Sequence, residues 1–439
     1  MSFARPRRLA SLTAMSKPSP TVKELGPARF ASPIRRVINE EERVPLCISG
    51  STPDAENMYF EVAGPRRKLF FNPRKVRAGI VTCGGICPGL NTVIRSAFLE
   101  LHHMYGVKAV LGFRDGYRGL DPASHLEPVT LTTDRVDDIQ KHGGTILGTS
   151  RGPVETGVAV DYLIHLGVNI LFVVGGDGTQ RGGRDIFLEA QKRGHELSVV
   201  GIPKTIDNDV PYVARTFGYQ TAIEEAAKVI TCAHTEALSV QNGIAIVKLM
   251  GRHAGFIASE ATMASQDVNF CLIPEVPFQL EGRGGFLAAL KDRILQRSHA
   301  VIVVAEGAGQ DLLKNCGTER DASGNVKLKD IGLFLREEIE AYFRSQDIPI
   351  VIRYLDPSYI IRSVPAGSMD SILCDQYARN AVHAAMAGKT GLVVGLLHDR
   401  FIHVPVEMLA TQGKKVDPNG PIWHAVLATT GQPMQFGHD

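Results

Sequence analysis

The sequence GGDGT at 175–179 directly follows an apolar, β-branched stretch at 170–174. This pattern predicts a strand that ends in a turn, where glycines let backbone N–H groups approach a phosphate closely. Asp177 supplies a carboxylate that can hold a divalent cation beside that phosphate. The run matches neither a Walker loop, which needs Gly-Lys-Ser/Thr, nor a dinucleotide fingerprint, which needs glycine where Arg181 stands. By itself it is compatible with a nucleotide site and with a plain strand-to-helix turn.

A second charged segment, PKTIDND at 203–209, follows the apolar stretch at 197–202. The carboxylate of Asp207 can take the proton of an acceptor hydroxyl, and Lys204 can neutralise charge on a transferred phosphoryl group. Both roles belong to phosphoryl transfer. The alternative is an Asx turn beside a solvated lysine.

Short apolar runs alternate with helix-like stretches from about residue 75 onward. Continuous apolar strands between helices predict an α/β fold with parallel sheets that are covered on both faces. Ligands bind at the carboxyl ends of the strands in such folds, and both charged segments lie there. The predicted strands are 78–82, 109–113, 170–174, 197–202, 244–249, 270–273, 300–305, 348–354 and 392–397.

Other strand ends also carry polar residues. Arg252 and Glu275 each follow a predicted strand. Arginine suits a phosphate and glutamate suits sugar hydroxyls, although the pair is equally compatible with a structural salt bridge. His253 has no nucleophile to activate, so we expect a structural role for it.

Two further segments are predicted from their local pattern. Thr221 and Glu224 have capping-box spacing and predict that a helix begins there. The polar stretch at 310–327, with a Ser-Gly-Asn turn signal, predicts a surface insertion that is not part of the site.

The bulk composition excludes several classes of partner. A chain of 439 residues predicts two or three structural units. The formal net charge is only +2, so we expect neither nucleic acid nor an anionic membrane as a partner. Apolar runs stay short of the roughly 20 residues that span a bilayer. The seven cysteines are scattered and odd in number, which favours a reducing compartment and gives no complete metal set.

The first 36 residues differ from the rest of the chain. They contain eight Lys or Arg and a single acid, Glu24. Such a segment is typical of a disordered basic arm or of an organelle-targeting peptide. We favour the arm and a cytoplasmic location, with a glycosome or other organelle as the alternative.

Five segments in order along the chain resemble those of the 6-phosphofructokinase family: CGGICPGLN at 83–91, GGDGT, PKTIDND, MGR at 250–252 and PEVPF at 274–278. The resemblance covers about residues 74–395, and it is strongest to the plant and kinetoplastid ATP-dependent members. GGDGT also occurs in NAD kinases and lipid kinases, but those enzymes lack the TIDND and MGR elements.

The resemblance implies two Rossmann-like lobes with largely parallel sheets and an active site in the cleft between them. It implies an N-terminal extension at 1–74 that includes the basic arm. The donor lobe, for ATP and Mg²⁺, is expected at 75–218 plus about 362–405. The sugar-phosphate lobe and C-terminal segment are expected at about 219–361 plus 406–439.

The implied reaction transfers the γ-phosphoryl group of ATP to the 1-hydroxyl of D-fructose 6-phosphate, with Mg²⁺ as cofactor. Asp207 matches the general base, Asp177 matches the magnesium ligand, and Lys204 and Arg252 complete the catalytic set. The matching nucleotide-binding positions are Gly85, Arg151, Gly152, Gly176, Asp177, Gly178 and Thr179, with Tyr117 as a further candidate. The matching sugar-phosphate positions are Thr205, Ile206, Asp207, Met250, Gly251, Arg252, Glu275, Arg353, Tyr359, Ile360, Ile361 and Arg362.

Arg353 resembles an arginine that the family lends across a subunit interface, so we expect a homo-oligomer, either a dimer or a tetramer. Gly243 stands where bacterial members have a second interface arginine, and Lys248 is a candidate substitute. Leu99 replaces a basic residue one helical turn after Arg95, so any allosteric control is expected to differ from the bacterial type.

Two positions bear on the phosphoryl donor. Members that use pyrophosphate typically have aspartate at the position of Gly178 and lysine at the position of Lys204. A carboxylate at 178 would crowd and repel the α-phosphate of a nucleotide, so Gly178 favours ATP. Plant and kinetoplastid ATP-dependent members share both residues with this chain. We therefore expect ATP as the donor, with pyrophosphate as the alternative donor. A remote alternative is that the chain is a non-catalytic relative of the family. For the reaction we expect direct in-line transfer without a phosphoenzyme.

Overall fold

The predicted strands form two separate sheets in the computed structural model, which describes residues 20–48, 58–313, 320, 326–410 and 413–437. Within those residues the strands are β1 (Lys23–Glu24), β2 (Phe30–Ala31), β3 (Arg43–Pro45), β4 (Tyr59–Val62), β5 (Lys68–Leu69), β6 (Arg77–Thr82), β7 (Ala109–Phe113), β8 (Val129–Thr130), β9 (Ile170–Gly175), β10 (Ser198–Pro203), β11 (Gly243–Leu249), β12 (Phe270–Leu272), β13 (His299–Ala305), β14 (Val351–Leu355), β15 (Lys389–Thr390), β16 (Leu392–Leu397) and β17 (Arg400–Pro405).

Helices connect and cover these strands. In the same part of the chain they are α1 (Leu90–Leu99), α2 (Thr133–Val136), α3 (Thr156–His165), α4 (Asp177–Lys192), α5 (Tyr219–Leu238), α6 (Phe256–Ser265), α7 (Phe286–Arg297), α8 (Ile331–Ser345), α9 (Ser358–Ser363), α10 (Ser368–Met386) and α11 (Pro421–Thr430). A π-helical turn at Glu100–Met104 extends α1, and 3₁₀ turns lie at Pro73–Lys75, Gly116–Leu120, Pro122–Ser124, Ile139–Lys141, Gln310–Leu312 and Val406–Ala410.

The large sheet has the strand order β3-β4-β17-β16-β10-β9-β6-β7-β8. Its central strands β16, β10, β9, β6 and β7 are parallel. All residues of β9 and β10 are buried, because α3 and α4 cover one face while α1 and α10 lie on the other. The antiparallel edges were not predicted from the sequence; they are formed by β17, β4 and β3 on one side and by β8 on the other.

The small sheet has the order β12-β13-β11-β14 and is parallel throughout. Helices α7 and α8 pack on one face and α5 and α6 on the other. All nine predicted strands are confirmed, with boundaries within three residues. None of the helices in the described residues is both long and apolar enough to cross a membrane.

The chain returns to the large sheet after α9. Helix α10 packs on α1, and β16 pairs with β10. The described part of the N-terminal extension also belongs to this unit, since β3 and β4 extend the large sheet and β1 pairs with β15. The extension is therefore not a separate arm from residue 20 onward, and residues 1–19 lie outside the described part.

The predicted start of α5 is wrong by two residues. The helix begins at Tyr219 after Gly218, whose φ of +85° suits glycine. Thr221 is inside the first turn, where its N–H and its Oγ1 donate to Oδ2 of Asp370 at 2.7 and 2.6 Å. A carboxylate from α10 thus satisfies the helix end that the capping box was expected to satisfy.

A buried ion cluster joins the extension to the large sheet. Glu61 contacts Nη2 of Arg66 at 2.6 Å and Nζ of Lys389 at 2.8 Å, and the side chains of both cations are at most 9% exposed. Lys389 also contacts Glu24 at 2.7 Å, but the Glu24 side chain is 56% exposed. Of the two carboxylates, Glu61 is therefore largely buried and Glu24 is not.

We predict that Glu61→Gln lowers the free energy of unfolding by about 3–5 kcal/mol, because it leaves two buried cations with reduced compensation. Glu24→Gln is the matched control and should cost less than about 1 kcal/mol, as is usual for an exposed ion pair. Equilibrium urea denaturation measures both changes. An equal loss of unfolding free energy in the two variants would contradict the conclusion that Glu61 is the carboxylate that stabilises the buried cations.

Candidate active site

Three loops meet at the carboxyl ends of the adjacent strands β6, β9 and β10. The N–H of Cys83 donates to the carbonyl of Val174 at 2.9 Å, and the N–H of Lys204 donates to the carbonyl of Gly175 at 3.1 Å. Nζ of Lys204 donates to the carbonyl of Gly85. The structure therefore brings Gly85, GGDGT and Lys204 together as predicted from the strand ends.

The GGDGT segment forms the N-terminus of α4. Gly176 is the N-cap residue and makes no side-chain capping bond, so no cap side chain occupies the first N–H groups of the helix, which are the groups that commonly bind phosphate. A side chain at Gly175 would collide with Thr179. Behind the turn, Tyr117 donates its hydroxyl proton to the carbonyl of Thr179 at 2.5 Å. Tyr117 is thus a buried support for the turn rather than part of its exposed surface.

The space over Gly178 is open toward the cleft. A Cβ added there would meet only Nη2 of Arg181, at 3.8 Å, which is ordinary van der Waals contact. A side chain at 178 would therefore fit the protein itself and would occupy the space beside the phosphate-binding turn. An aspartate at 178 would therefore disfavour ATP through its effect on the bound nucleotide. Its side chain would occupy space beside the phosphates, and its negative charge would repel them.

Arg151 and Gly152 lie on the loop that pairs with Gly84. The N–H of Gly84 donates to the carbonyl of Ser150 at 3.0 Å. A Cβ at Gly85 would lie 3.8 Å from both Nη2 of Arg151 and Nη1 of Arg362. Two guanidinium groups thus flank the backbone of Gly85, and Arg362 reaches this half of the cleft although it was predicted on the sugar side.

The metal candidate Asp177 faces a second carboxylate. Partial burial and the charge of Asp209 raise the pKa of Asp177 above its ordinary value, and Arg181 opposes the shift. A divalent cation between phosphates and these carboxylates would relieve the repulsion, and Mg²⁺ is commonly held by one or two carboxylates plus substrate phosphates. The residues present therefore fit a magnesium site.

Asp207 lies in a loop that is tied down by its neighbours. Its N–H donates to Oγ1 of Thr205 at 3.1 Å, and Thr216 donates its hydroxyl to the carbonyl of Thr205 at 2.7 Å. The side chain of Ile206 is only 6% exposed, so this predicted site residue can offer only its backbone. Oδ1 of Asp207 is buried and has no hydrogen-bond partner among the described residues.

The environment of Asp207 disfavours its charged form. Burial, followed by the charges of Asp209 and Glu306, raises the pKa of Asp207 to about 8, while Arg252 opposes the shift. A carboxyl group with this pKa and an unpartnered oxygen is suited to accept a proton near neutral pH.

The sugar side of the cleft is built at the carboxyl ends of the small sheet. Arg252 follows β11, Glu275 follows β12 and Glu306 follows β13. Glu275 accepts from the N–H of Gly255 at 2.9 Å and from the N–H of Val416 at 2.8 Å. Its carboxylate is therefore fixed by two backbone donors.

The insertion at 310–327 reaches this site at one point. Arg252 donates from Nη1 to the carbonyl of Val326 at 2.5 Å. The prediction that the insertion stays outside the site is wrong at that residue, and residues 314–319 and 321–325 lie outside the described part. Met250 and Gly251 form the turn before Arg252, and the φ of +129° at Gly251 favours glycine.

The residues of α9 differ in exposure. Tyr359 and Ile360 are 72% and 58% exposed, whereas Ile361 is fully buried and cannot present its side chain to a ligand. The guanidinium of Arg362 lies over the Tyr359 ring at 4.7 Å. Arg353, on the edge strand β14, pairs with Glu236 at 3.5 Å, and about half of its side chain is exposed.

Lys248, the candidate substitute for the interface arginine, is paired with two carboxylates of its own chain. Its ammonium contacts Asp330 at 2.6 Å and Asp356 at 2.8 Å, and the side chain is 12% exposed. Its charge is therefore already compensated. A side chain at Gly243 would collide with the carbonyl of Ala237, which explains why this position carries glycine.

Two parts of the site were missed from the sequence. Glu306 obeys the rule that identified Glu275, since it directly follows a predicted strand, and it could have been found that way. The contacts of Lys414 and Val416 follow no sequence pattern, because they depend on how a distant segment packs.

Comparison with known proteins identifies the family. Residues 77–385 match the family model described as Phosphofructokinase. The ATP-dependent 6-phosphofructokinase of Borreliella burgdorferi is 46% identical over 408 residues, which cover 91% of this chain and 91% of that protein. The ATP-dependent 6-phosphofructokinase of Trypanosoma brucei brucei is 45% identical over 387 residues, covering 86% and 79%. The chain therefore belongs to the phosphofructokinase family, as the resemblance implied.

Solved structures share the fold. The pyrophosphate-dependent phosphofructokinase of Marinobacter aquaeolei superposes with a TM-score of 0.67 at 18% identity, covering 83% of this chain and 93% of that one. Phosphofructokinase from Saccharomyces cerevisiae gives a TM-score of 0.61 at 22% identity, covering 81% and 48%. These similarities confirm the α/β fold with two lobes.

We predict that the Asp207 carboxyl of the ligand-free protein titrates with a pKa of about 8. Glu306→Gln should lower this pKa, since it removes a negative charge that faces Asp207. Carbon-13 NMR of labelled aspartate carboxyl groups measures the titration, with Asp207→Asn to assign the resonance. Glu275→Gln is the control and should shift the resonance less than Glu306→Gln. A titration near the ordinary aspartate value would contradict this description of the site.

Proposed function

We propose that the chain is an ATP-dependent 6-phosphofructokinase, which transfers the γ-phosphoryl group of ATP to the 1-hydroxyl of fructose 6-phosphate. The observation that carries the proposal is the environment of Asp207. Its carboxylate oxygen Oδ1 is buried without a partner among the described residues, and Arg252, which follows the small-sheet strand β11, acts on the same carboxyl group. The names of the relatives at 43–46% identity support the choice of substrates.

The chain's own residues can perform the transfer without a covalent intermediate. Asp207 accepts the proton of the attacking hydroxyl, and the first turn of α4 binds the donor phosphates through backbone N–H groups. Lys204 and Arg252 stabilise the negative charge on the transferred group. Asp177, with Asp209 beside it, would hold Mg²⁺. When bound, Mg²⁺ supplies positive charge that neutralises the donor phosphates.

The sugar phosphate is proposed to bind across the ends of the small sheet and α9. Glu275 would accept hydrogen bonds from sugar hydroxyls, and Arg362 would bind phosphate beside Tyr359. The side chain of Arg353 is exposed and lies at the sheet edge, where a second copy of the chain could receive it. We therefore propose a homo-oligomer, a dimer or a tetramer, whose sites are completed across an interface. Cytoplasmic location and allosteric control remain predictions.

One coupled assay tests the function and the donor together. Fructose 6-phosphate is offered with Mg²⁺ and either ATP or pyrophosphate, and formation of the bisphosphate is measured. We expect turnover with ATP and little with pyrophosphate. Turnover only with pyrophosphate would support the alternative donor, and no turnover with either would contradict the proposal.

We predict that Asp207→Ser lowers kcat by about 10²–10⁴, the usual value of general-base catalysis. Fructose 6-phosphate binding, measured by equilibrium titration, should remain largely intact. Because the active form of Asp207 is deprotonated, kcat/KM of the unaltered enzyme should rise with pH, and the variant should lose this acid limb. Near-normal turnover in Asp207→Ser would mean that another group is the base.

We predict that Gly178→Asp strongly lowers kcat/KM for ATP, through repulsion between the new carboxylate and the nucleotide phosphates. Gly178→Ala is the matched control, because its methyl group adds volume without charge and meets only Arg181 at ordinary contact distance. Steady-state kinetics at varied ATP separates the two effects. If the alanine variant loses as much as the aspartate variant, volume rather than charge decides the donor.

A further inference from the structure

A short segment near the C terminus lies between the two halves of the candidate site. This segment, residues 413–416, is called the C-terminal clasp here. It lies outside the 77–385 region that the family model matches. The N–H of Lys414 donates to the carbonyl of Asp209 at 2.7 Å. Two residues later, the N–H of Val416 donates to Oε1 of Glu275 at 2.8 Å.

The two partners of the clasp come from different sheets. Asp209 belongs to the loop that follows β10 of the large sheet, and Glu275 follows β12 of the small sheet. The clasp therefore bonds at one end to the loop that carries Asp207 and at the other to a carboxylate of the sugar side.

The side chain of Lys414 strengthens the first of these connections. Nζ donates to the carbonyls of Val213 and Ala214 at 2.8 and 3.1 Å. The same ammonium lies 5.1 Å from the centre of the Phe256 ring, the first residue of α6 beside the small sheet. Burial lowers the pKa of Lys414 to about 8, and the charges of Asp209 and Glu260 oppose the shift. A lysine so enclosed costs free energy unless its donors are used, and here they hold a loop.

We propose that Lys414 is a positioning residue that holds the catalytic loop, residues 204–214, at a fixed distance from the sugar half of the site. The proposal rests on the function proposed above. Asp207 and Asp209 repel each other, so the loop that carries them needs external contacts to stay in place. Without the ammonium, the carbonyls of Val213 and Ala214 lose this donor, and the loop is held less firmly to the sugar half of the site.

Lys414→Met is the test, because methionine keeps an unbranched apolar side chain at this position and removes the ammonium. We expect kcat at saturating ATP and fructose 6-phosphate to fall by about 10²-fold, the effect of a small misplacement of a catalytic group. Equilibrium titration should still give about one fructose 6-phosphate site per chain. A variant that was merely less stable would instead bind fewer equivalents of fructose 6-phosphate.

Lys415→Met is the matched control, since it removes the same charge from an exposed neighbouring residue. If Lys414→Met keeps kcat within about threefold, or if Lys415→Met loses as much, the proposal is overturned. Should the methionine variant fail to fold, Lys414→Arg and Lys414→Gln decide: arginine should retain clearly more turnover, and equal values would overturn the proposal. Absence of turnover in the unaltered chain would instead contradict the proposed function, so the two failures are distinguishable.

Discussion

Repulsion between carboxylates in the cleft is the interaction on which the chemistry of this site depends. Asp207 is crowded by Asp209 and Glu306, and Asp177 faces Asp209. Gathering negative charge in a partly buried cleft is unfavourable unless cations or protons compensate it. The same repulsion raises the proton affinity of Asp207 and prepares a place for a divalent cation beside Asp177. Base and metal site are thus two consequences of one charge arrangement.

The fold makes this arrangement possible because parallel strands of both sheets end near Asp207, where residues of the small sheet act on its carboxyl group. The large sheet contributes the phosphate-binding turn and the catalytic loop, and the small sheet contributes Arg252, Glu275 and Glu306. Most of these residues are held by backbone contacts close to a strand end, which limits their movement. The C-terminal clasp is different, because it arrives from a distant part of the chain and contacts both halves.

The local sequence pattern was sufficient to predict where much of the site lies in the fold. GGDGT and PKTIDND were placed correctly because each follows a continuous apolar strand, and strand ends of parallel sheets meet. Whether an individual side chain is buried could not be predicted from local sequence in the same way. Ile206 and Ile361 were predicted in the site, but both side chains pack into the core. The sequence likewise gives no sign that Lys248, a candidate phosphate ligand, pairs with Asp330 and Asp356. Such outcomes depend on partners that are distant in sequence.

In the proposed reaction the phosphoryl group passes directly between two bound substrates, and Asp207 acts only on the proton. The stereochemical course at phosphorus tests this transfer most directly. ATP made chiral at the γ-phosphorus with oxygen isotopes would be turned over with fructose 6-phosphate, and the configuration of the product phosphate determined. We expect inversion of configuration, as required for a single in-line displacement. Retention would indicate a phosphorylated enzyme intermediate and would contradict it.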